Sequence, residues 1–434
     1  MRKSYQSLQQ CLTPDFLIGQ LRQRFSQLSD HRASNSRFSL SDLLMSGFAM
    51  FSLKYASLLQ FESQTDVERE NLHHLYGIEE RCTDSQMRKV LDKVCPDKIK
   101  DIYAENFKEL HRLGITKAYR YYQDYLIIAV DGVTHFESKK VHCSGCLEKK
   151  HQDGSVSYSH SMLCAMVVNP GQKEVFVLGT EPIVCQDGSE KNDCERNASK
   201  RLLAWMAKHY QGQNLLITED ALYSNAPNIK NITDNNWSYV LGIKPDGNKS
   251  LFKAFEQTNA SHRVKPYSYL ENGIQHHFKY VNNLPLNSSN SEVRVNVLIY
   301  QCTDKKGKTT QFSWVTNLEL TRKSGMEVMK IGRSRWKIEN ETFNTLKNQG
   351  YHFEHNYGHG KENLSTVLAY LMLLAFHTDQ LIQRCHQPFQ QIWKVAKTKL
   401  KIWQTLRALF LVKTFHSFQQ LYEYMALLFK VQLE

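Results

Sequence analysis

Apolar and polar positions follow two rhythms along this chain, and the change falls near residue 120. Before it, apolar residues recur at helical spacing. Phe38-Ser39-Leu40-Ser41-Asp42-Leu43-Leu44 sets a capping serine before an apolar run. The stretch Leu43 to Leu59, interrupted by Ser46, Ser52, Lys54 and Ser57, predicts a buried helix rather than a bilayer span. Thr83 to Val94 predicts a short polar-capped helix with basic residues. From Tyr125 the pattern turns to strands: Leu126 to Gly132, Val156 to Val168, the hairpin turn Asn169-Pro170-Gly171-Gln172, then Glu174 to Leu178. A helix from Glu190 to Tyr210, with Leu202 and Trp205 inward, leads into a further strand at Asn214 to Ala221. Residues 224–311 are rich in Asn, Ser, Gly and Pro and end in the run Val293 to Tyr300, which predicts a β-rich insertion. Phe312 to Thr316 returns to the core, and residues 361–434 are helical again, with Leu364 to Leu381 packed on that core.

Between those last two segments, Arg335 to Lys347 reads as one helix. Trp336, Phe343 and Leu346 share one face; Arg335, Glu339 and Lys347 share another. An exposed amphipathic helix with i,i+4 ion pairs explains this pattern as well as a functional one does. The strand runs ending at Asp131-Gly132 and Glu219-Asp220 alter the balance, because each places a carboxylate at a sheet rim. A single Asp after a strand is usually a turn former. Two of them with a helix-borne glutamate can hold two Mg2+ ions, which suits in-line phosphoryl transfer.

Asp131, Asp220 and Glu339, with Val130-Asp131-Gly132, Glu219-Asp220-Ala221-Leu222-Tyr223, Trp314-Val315-Thr316-Asn317 and Arg335-Trp336-Lys337-Ile338-Glu339, resemble the DDE transposases of bacterial insertion sequences, IS4-like group, over roughly residues 120–380. The resemblance implies an α/β, RNase H-like catalytic core with a β-rich insertion, two Mg2+ (or Mn2+) ions per active site, and double-stranded DNA with terminal inverted repeats as partner. It also implies a homodimer in the DNA complex. The chain departs from the family's Tyr-Arg-Glu-Lys signature twice. Gly332 stands where the Tyr falls, and Leu346 where the Lys falls, with Lys347 one residue later. Glu341 lies about 200° from Glu339 around a regular helix, so both cannot face the metals; Glu339 has the family spacing.

The expected organisation is a helical region at 1–120, a catalytic domain at 121–380 with its insertion at about 224–311, and a helical region at 381–434. The helix near Thr83 is either an ordinary packing helix or part of a DNA-binding unit. The ordinary apolar fraction, 41%, excludes global disorder, and a net charge of +12 favours an anionic partner. Basic residues gather around the Glu339 helix, where Arg333, Arg335 and Lys347 are candidate DNA contacts, and near the C-terminus. Arg335 has a second reading as a salt-bridge partner of Glu339. Trp314 and Trp237 are candidates for base stacking or for the core, and His276-His277 is expected at the surface. The polar start Met1 to Gln6 is unlike an export signal, so the expected site of action is cytoplasmic, without a membrane, and the ten cysteines are expected to be reduced. Cys143 and Cys146 form a Cys-x2-Cys pair, either two free loop thiols or half of a structural Zn2+ site completed from His151, His160 or Cys194. Three functional readings remain: a transposase, a DNA nuclease on the same core without strand joining, and a catalytically silent DNA-binding derivative.

Overall fold

The computed structural model describes residues 12–433 apart from 34, 189–190 and 262; the polar start at Met1 to Gln6 lies outside the described residues. The strands are β1 (Leu126–Ser138), β2 (Leu147–Lys150), β3 (Val156–Val168), β4 (Phe176–Ile183), β5 (Leu215–Glu219), β6 (Ser238–Gly242), β7 (Lys265–Glu271), β8 (Ile274–Asn287), β9 (Asn290–Thr303) and β10 (Thr309–Thr316). They form one mixed sheet ordered β2-β3-β1-β5-β6-β10-β9-β8-β7, with β4 paired to β3. β1 is antiparallel to β3 but parallel to β5, and β5 is parallel to β6.

The unbroken apolar run in β1 has a direct cause. Ile127 and Ala129 enter one hydrophobic core while Leu126, Ile128 and Val130 enter the other, so both faces of the strand are covered. One face packs on the helices Leu40–Ser52 and Leu364–Cys385; the other packs on Lys191–His209, Ala226–Asp234 and Lys249–Ala260. Leu364–Cys385 is long and apolar enough to cross a membrane, but its apolar window is entirely buried within the protein.

The two terminal helical regions share one layer. Asn71 donates to the carbonyls of Phe410 and Lys413 and accepts from Phe415 N–H. Lys54 and Asp379 form a buried ion pair of 2.6 Å. Either group buried alone would carry a large desolvation penalty, so the pair holds the two regions in one arrangement.

Three expectations are corrected. β1 does not stop at Asp131; it runs to Ser138 because β3 keeps pairing with it, whereas its parallel ladder with β5 ends at Ala129. Asp131 therefore lies mid-strand, just beyond the end of the parallel ladder. The β-rich insertion expected at 224–311 begins later than expected and is preceded by helical segments and a core strand. Residues 224–311 contain the helices Ala226–Asp234 and Lys249–Ala260 and the strand β6, and only β7–β9 add an antiparallel extension to the same sheet. Finally, the helix carrying Glu339 is not regular. It follows Arg322–Ser334, passes through a π-helical turn at Ile338–Phe343 and resumes at Asn344–Asn348.

Candidate active site

Asp131 and Asp220 reach the same end of β1 and β5 by different routes. Asp131 Oδ1 accepts the N–H of Gly132 at 2.9 Å. Asp220 directly follows β5 and caps a 3-10 turn, its Oδ1 accepting Leu222 N–H at 2.8 Å. The turn-forming role of this Asp is thus real, but it engages only one of the two oxygens. Glu339 arrives from the π-turn, half exposed.

Arg335 ties the third carboxylate to the first. Its Nη1 lies 2.5 Å from Asp131 Oδ2 and 2.9 Å from Glu339 Oε1. Two carboxylates from segments some two hundred residues apart thus converge on one nitrogen. Glu341 sits instead toward Lys337, whose amine donates to the Gln172 carbonyl at 2.6 Å. The salt-bridge reading of Arg335 is the one realised here: the guanidinium is turned inward onto carboxylates, not outward to a phosphate. It stands as a positive charge between two carboxylate oxygens and offsets part of their mutual repulsion.

The charge density of the site is visible in Asp131. Burial pushes its carboxyl up to about 7, Arg335 and the Gly132 amide oppose the shift, and Glu339 and Asp220 add to it. Two further carboxylates were missed by sequence reasoning. Glu219, the last residue of β5, is fully buried; burial raises its pKa to about 8, against the bond it accepts from Asn228 at 2.6 Å. Glu195, on helix Lys191–His209, accepts the Tyr223 hydroxyl at 2.8 Å. It lies close to Gly132, where a Cβ would make ordinary contact with its carboxyl carbon at 3.4 Å. Glu219 was masked by its neighbour Asp220, and Glu195 lies in a polar helix with no local motif to mark it.

Both departures from the family signature have structural causes. A side chain at Gly332 would fall on the Trp314 indole, which fills that space from β10. Trp314 is accordingly a core residue, only 5% exposed, and so is Trp237. The π-turn inserts one residue. It therefore brings the eighth residue after Glu339, not the seventh, back to the same side after about two turns. Leu346 is buried and Lys347 is exposed, paired with Glu354 at 2.9 Å. The same irregularity separates Trp336, 45% exposed, from buried Phe343 and Leu346, with which it was expected to share a face.

A cleft of about 300 Å³ opens beside Asp220, lined among others by Lys244, Gln311, Phe312, Arg333 and Trp336. Exposed Arg333 lies over the Phe312 ring at 5.2 Å. His276 and His277 are half buried, not fully exposed; His276 stacks on Tyr269 and its Nδ1 lies 2.9 Å from the Tyr300 hydroxyl.

Cys143 and Cys146 meet His160, as expected, together with His359, which was not. Of the other two candidate ligands, His151 bonds Ser157 at 2.9 Å, and Cys194 Sγ points to the carbonyls of Cys185 and Gly188. His359 lies 199 residues beyond His160, so no sequence spacing could reveal it.

No curated protein matches the chain. Among solved structures, the NurA nuclease from Sulfolobus solfataricus matches with 10% identity and a TM-score of 0.25, covering 60% of this chain and 99% of that one. The family model for the transposase DDE domain matches residues 122–376, the span that carries all three carboxylates, and the chain belongs to that family.

Proposed function

We propose that the protein is a DDE transposase, of the IS4-like group, that binds the ends of its own mobile element and catalyses Mg2+-dependent strand cleavage and strand transfer. The observation that carries this reading is the meeting of Asp131, Asp220 and Glu339 from β1, the end of β5 and the π-turn. The order β4-β3-β1-β5-β6, three antiparallel strands followed by two parallel ones, supports an RNase H-like core.

Asp131, Asp220 and Glu339 would hold the divalent ions. The donor set fits them: hard oxygen donors, one half-exposed, with Asp131 raised by burial and, to a lesser degree, by Glu339 and Asp220. When bound, two such ions activate the attacking oxygen and stabilise the leaving one. The chain supplies the rest through position and charge. Arg335 fixes the orientation of Asp131 Oδ2 and Glu339 Oε1. Burial raises the pKa of the Glu219 carboxyl behind Asp220, which favours its neutral form and limits the negative charge of the cluster. Lys244 and Arg333 in the adjoining cleft attract the phosphate backbone, with Trp336 offering an exposed aromatic face.

The test is incubation of the full-length protein and Mg2+ with DNA carrying the inverted repeats that flank its gene. Nicked ends joined to a target duplex support transposition. Cleavage without joining would favour a nuclease on the same core. Binding without cleavage would make it a silent DNA-binding derivative.

A further inference from the structure

We propose a structural zinc site formed by Cys143, Cys146, His160 and His359, which clamps the loop after β1 to the segment that follows the Glu339 helix. The four donor atoms all lie within 4.8 Å of one another. Five of their six separations are close to the edges of a coordination tetrahedron, and the sixth, Cys143 Sγ to His359 Nε2, is within 4.8 Å. With Zn–S near 2.3 Å and Zn–N near 2.0–2.1 Å, the tetrahedron's edges would be about 3.8 Å for S···S, about 3.5 Å for S···N and about 3.3 Å for N···N. The structure has 3.9 Å between the sulfurs, and 3.5 Å from each sulfur to His160 Nε2. Cys146 Sγ lies 3.3 Å from His359 Nε2, and the two Nε2 atoms are 3.1 Å apart. At 3.9 Å the sulfurs are not disulfide-bonded.

The surroundings prepare these atoms to bind metal. His359 Nδ1 donates to the Gly360 carbonyl at 2.7 Å, which leaves the Nε2 lone pair facing the cluster. The ring rests on Phe136 of β1, 4.7 Å between centroids. Cys146, His160 and His359 are buried and Cys143 is partly so. The segment carrying His359 is itself fixed. Asp92 accepts the backbone N–H groups of Lys361, Glu362, Asn363 and Leu364, and Arg88 donates to the Tyr357 carbonyl.

Two thiolates and two imidazoles are a soft, nitrogen–sulfur set. They select Zn2+ over the Mg2+ or Mn2+ that suit the carboxylates. Four protein ligands leave no open position, so the role is structural. Within β1, Phe136 is the register partner of His160, five residues beyond Asp131. His359 follows the helix that carries Glu339. The zinc would therefore join the two elements that supply the first and third carboxylates; this consequence, unlike the site itself, rests on the transposase reading.

Metal analysis of the full chain purified without chelator tests the site without DNA, so it stands or falls independently of that reading. The wild type is expected to carry about one equivalent of zinc, and Cys146→Ser and His359→Gln less than about a tenth. His151→Gln and Cys194→Ser should retain it. Should the ligand variants fail to fold, Co2+ replacement in the wild type decides the matter: thiolate-to-cobalt charge transfer with tetrahedral bands, abolished by Zn2+ but not by Mg2+, is the expected spectrum. Zinc below about a tenth of an equivalent in the wild type, full zinc in His359→Gln, or a cobalt spectrum without thiolate bands would each overturn the proposal.

Discussion

The carboxylate cluster includes Asp131 of β1 and the Cys/His cluster packs on Phe136 of the same strand, and both gather residues from distant parts of the chain. They differ in how their charges are balanced. At the carboxylates, acidic groups outnumber the single guanidinium, Glu339 is half exposed, and Asp131 is pushed up to about 7. An arrangement under that strain is open and suits exchangeable hard cations. At the Cys/His cluster, four soft donors face one another in a buried corner braced by Asp92. That arrangement is closed and suits a metal that stays. On the proposed readings, the Asp131 end of this pairing serves turnover and the Phe136 end permanence.

The largest expected effect lies at the open end. Asp131→Ala or Asp220→Ala should lower Mg2+-dependent cleavage by on the order of 10³-fold. DNA affinity, measured by gel shift, should remain close to wild type, because phosphate contacts supply it. Loss of binding as well would point to misfolding and blur the contrast between the two ends.

Metal removal separates the ends more sharply. Mg2+ withdrawn and then restored should return full cleavage. Protein stripped of zinc should stay impaired by about 10- to 100-fold in Mg2+ alone and recover when Zn2+ is added. Full recovery with Mg2+ alone would mean that the Cys/His corner does not support the active site.

Packing behind the carboxylates gives the next effect. Gly332→Ala forces the new methyl onto the Trp314 indole and should cost about 1–3 kcal/mol in urea unfolding. An unchanged midpoint would show that Trp314 moves aside freely.

The smallest effect is a pH dependence located away from both clusters. His377 Nδ1 accepts the Val177 N–H at 3.2 Å in a fully buried position, and burial lowers its pKa to about 3. Below its unfolded value of about 6.5, the unfolded chain takes up a proton that the folded chain refuses, so stability falls as pH drops toward 3. The loss attributable to His377 should be about 1.4 kcal/mol by pH 5.5, and His377→Gln should flatten the urea-midpoint profile below pH 6.5. Asp131 should instead show itself in metal binding: its protonated form is a poor ligand, so apparent Mg2+ affinity should rise between pH 6 and 8. A flat affinity profile would contradict the raised carboxyl.

The two ends were not equally legible in the sequence. Strand β3 and its following turn stand out because a long apolar run and Asn-Pro-Gly-Gln are local signals. Asp131, Asp220 and Glu339 could be singled out because each follows a recognisable phrase. The extension of β1 past Gly132 was hidden, since Val133 to Ser138 is supported on one side only, by β3. The π-turn was hidden too, because an inserted residue looks like an ordinary helix until its register is measured. His359 and Glu195 were beyond reach for another reason: their meaning comes wholly from tertiary contacts. Arg335 illustrates the limit differently, since its spacing allowed both a phosphate contact and an ion pair, and only the structure places it between Asp131 and Glu339.

The account rests most heavily on the three carboxylates acting together with divalent metal on DNA. The direct test compares wild type and Asp220→Ala on a duplex carrying the gene's own flanking repeats, with and without Mg2+. The expected result is cleavage at the repeat end by the wild type with Mg2+ alone, and none by the variant although it still binds. Equal cleavage by both proteins, or cleavage that is indifferent to Mg2+, would contradict it.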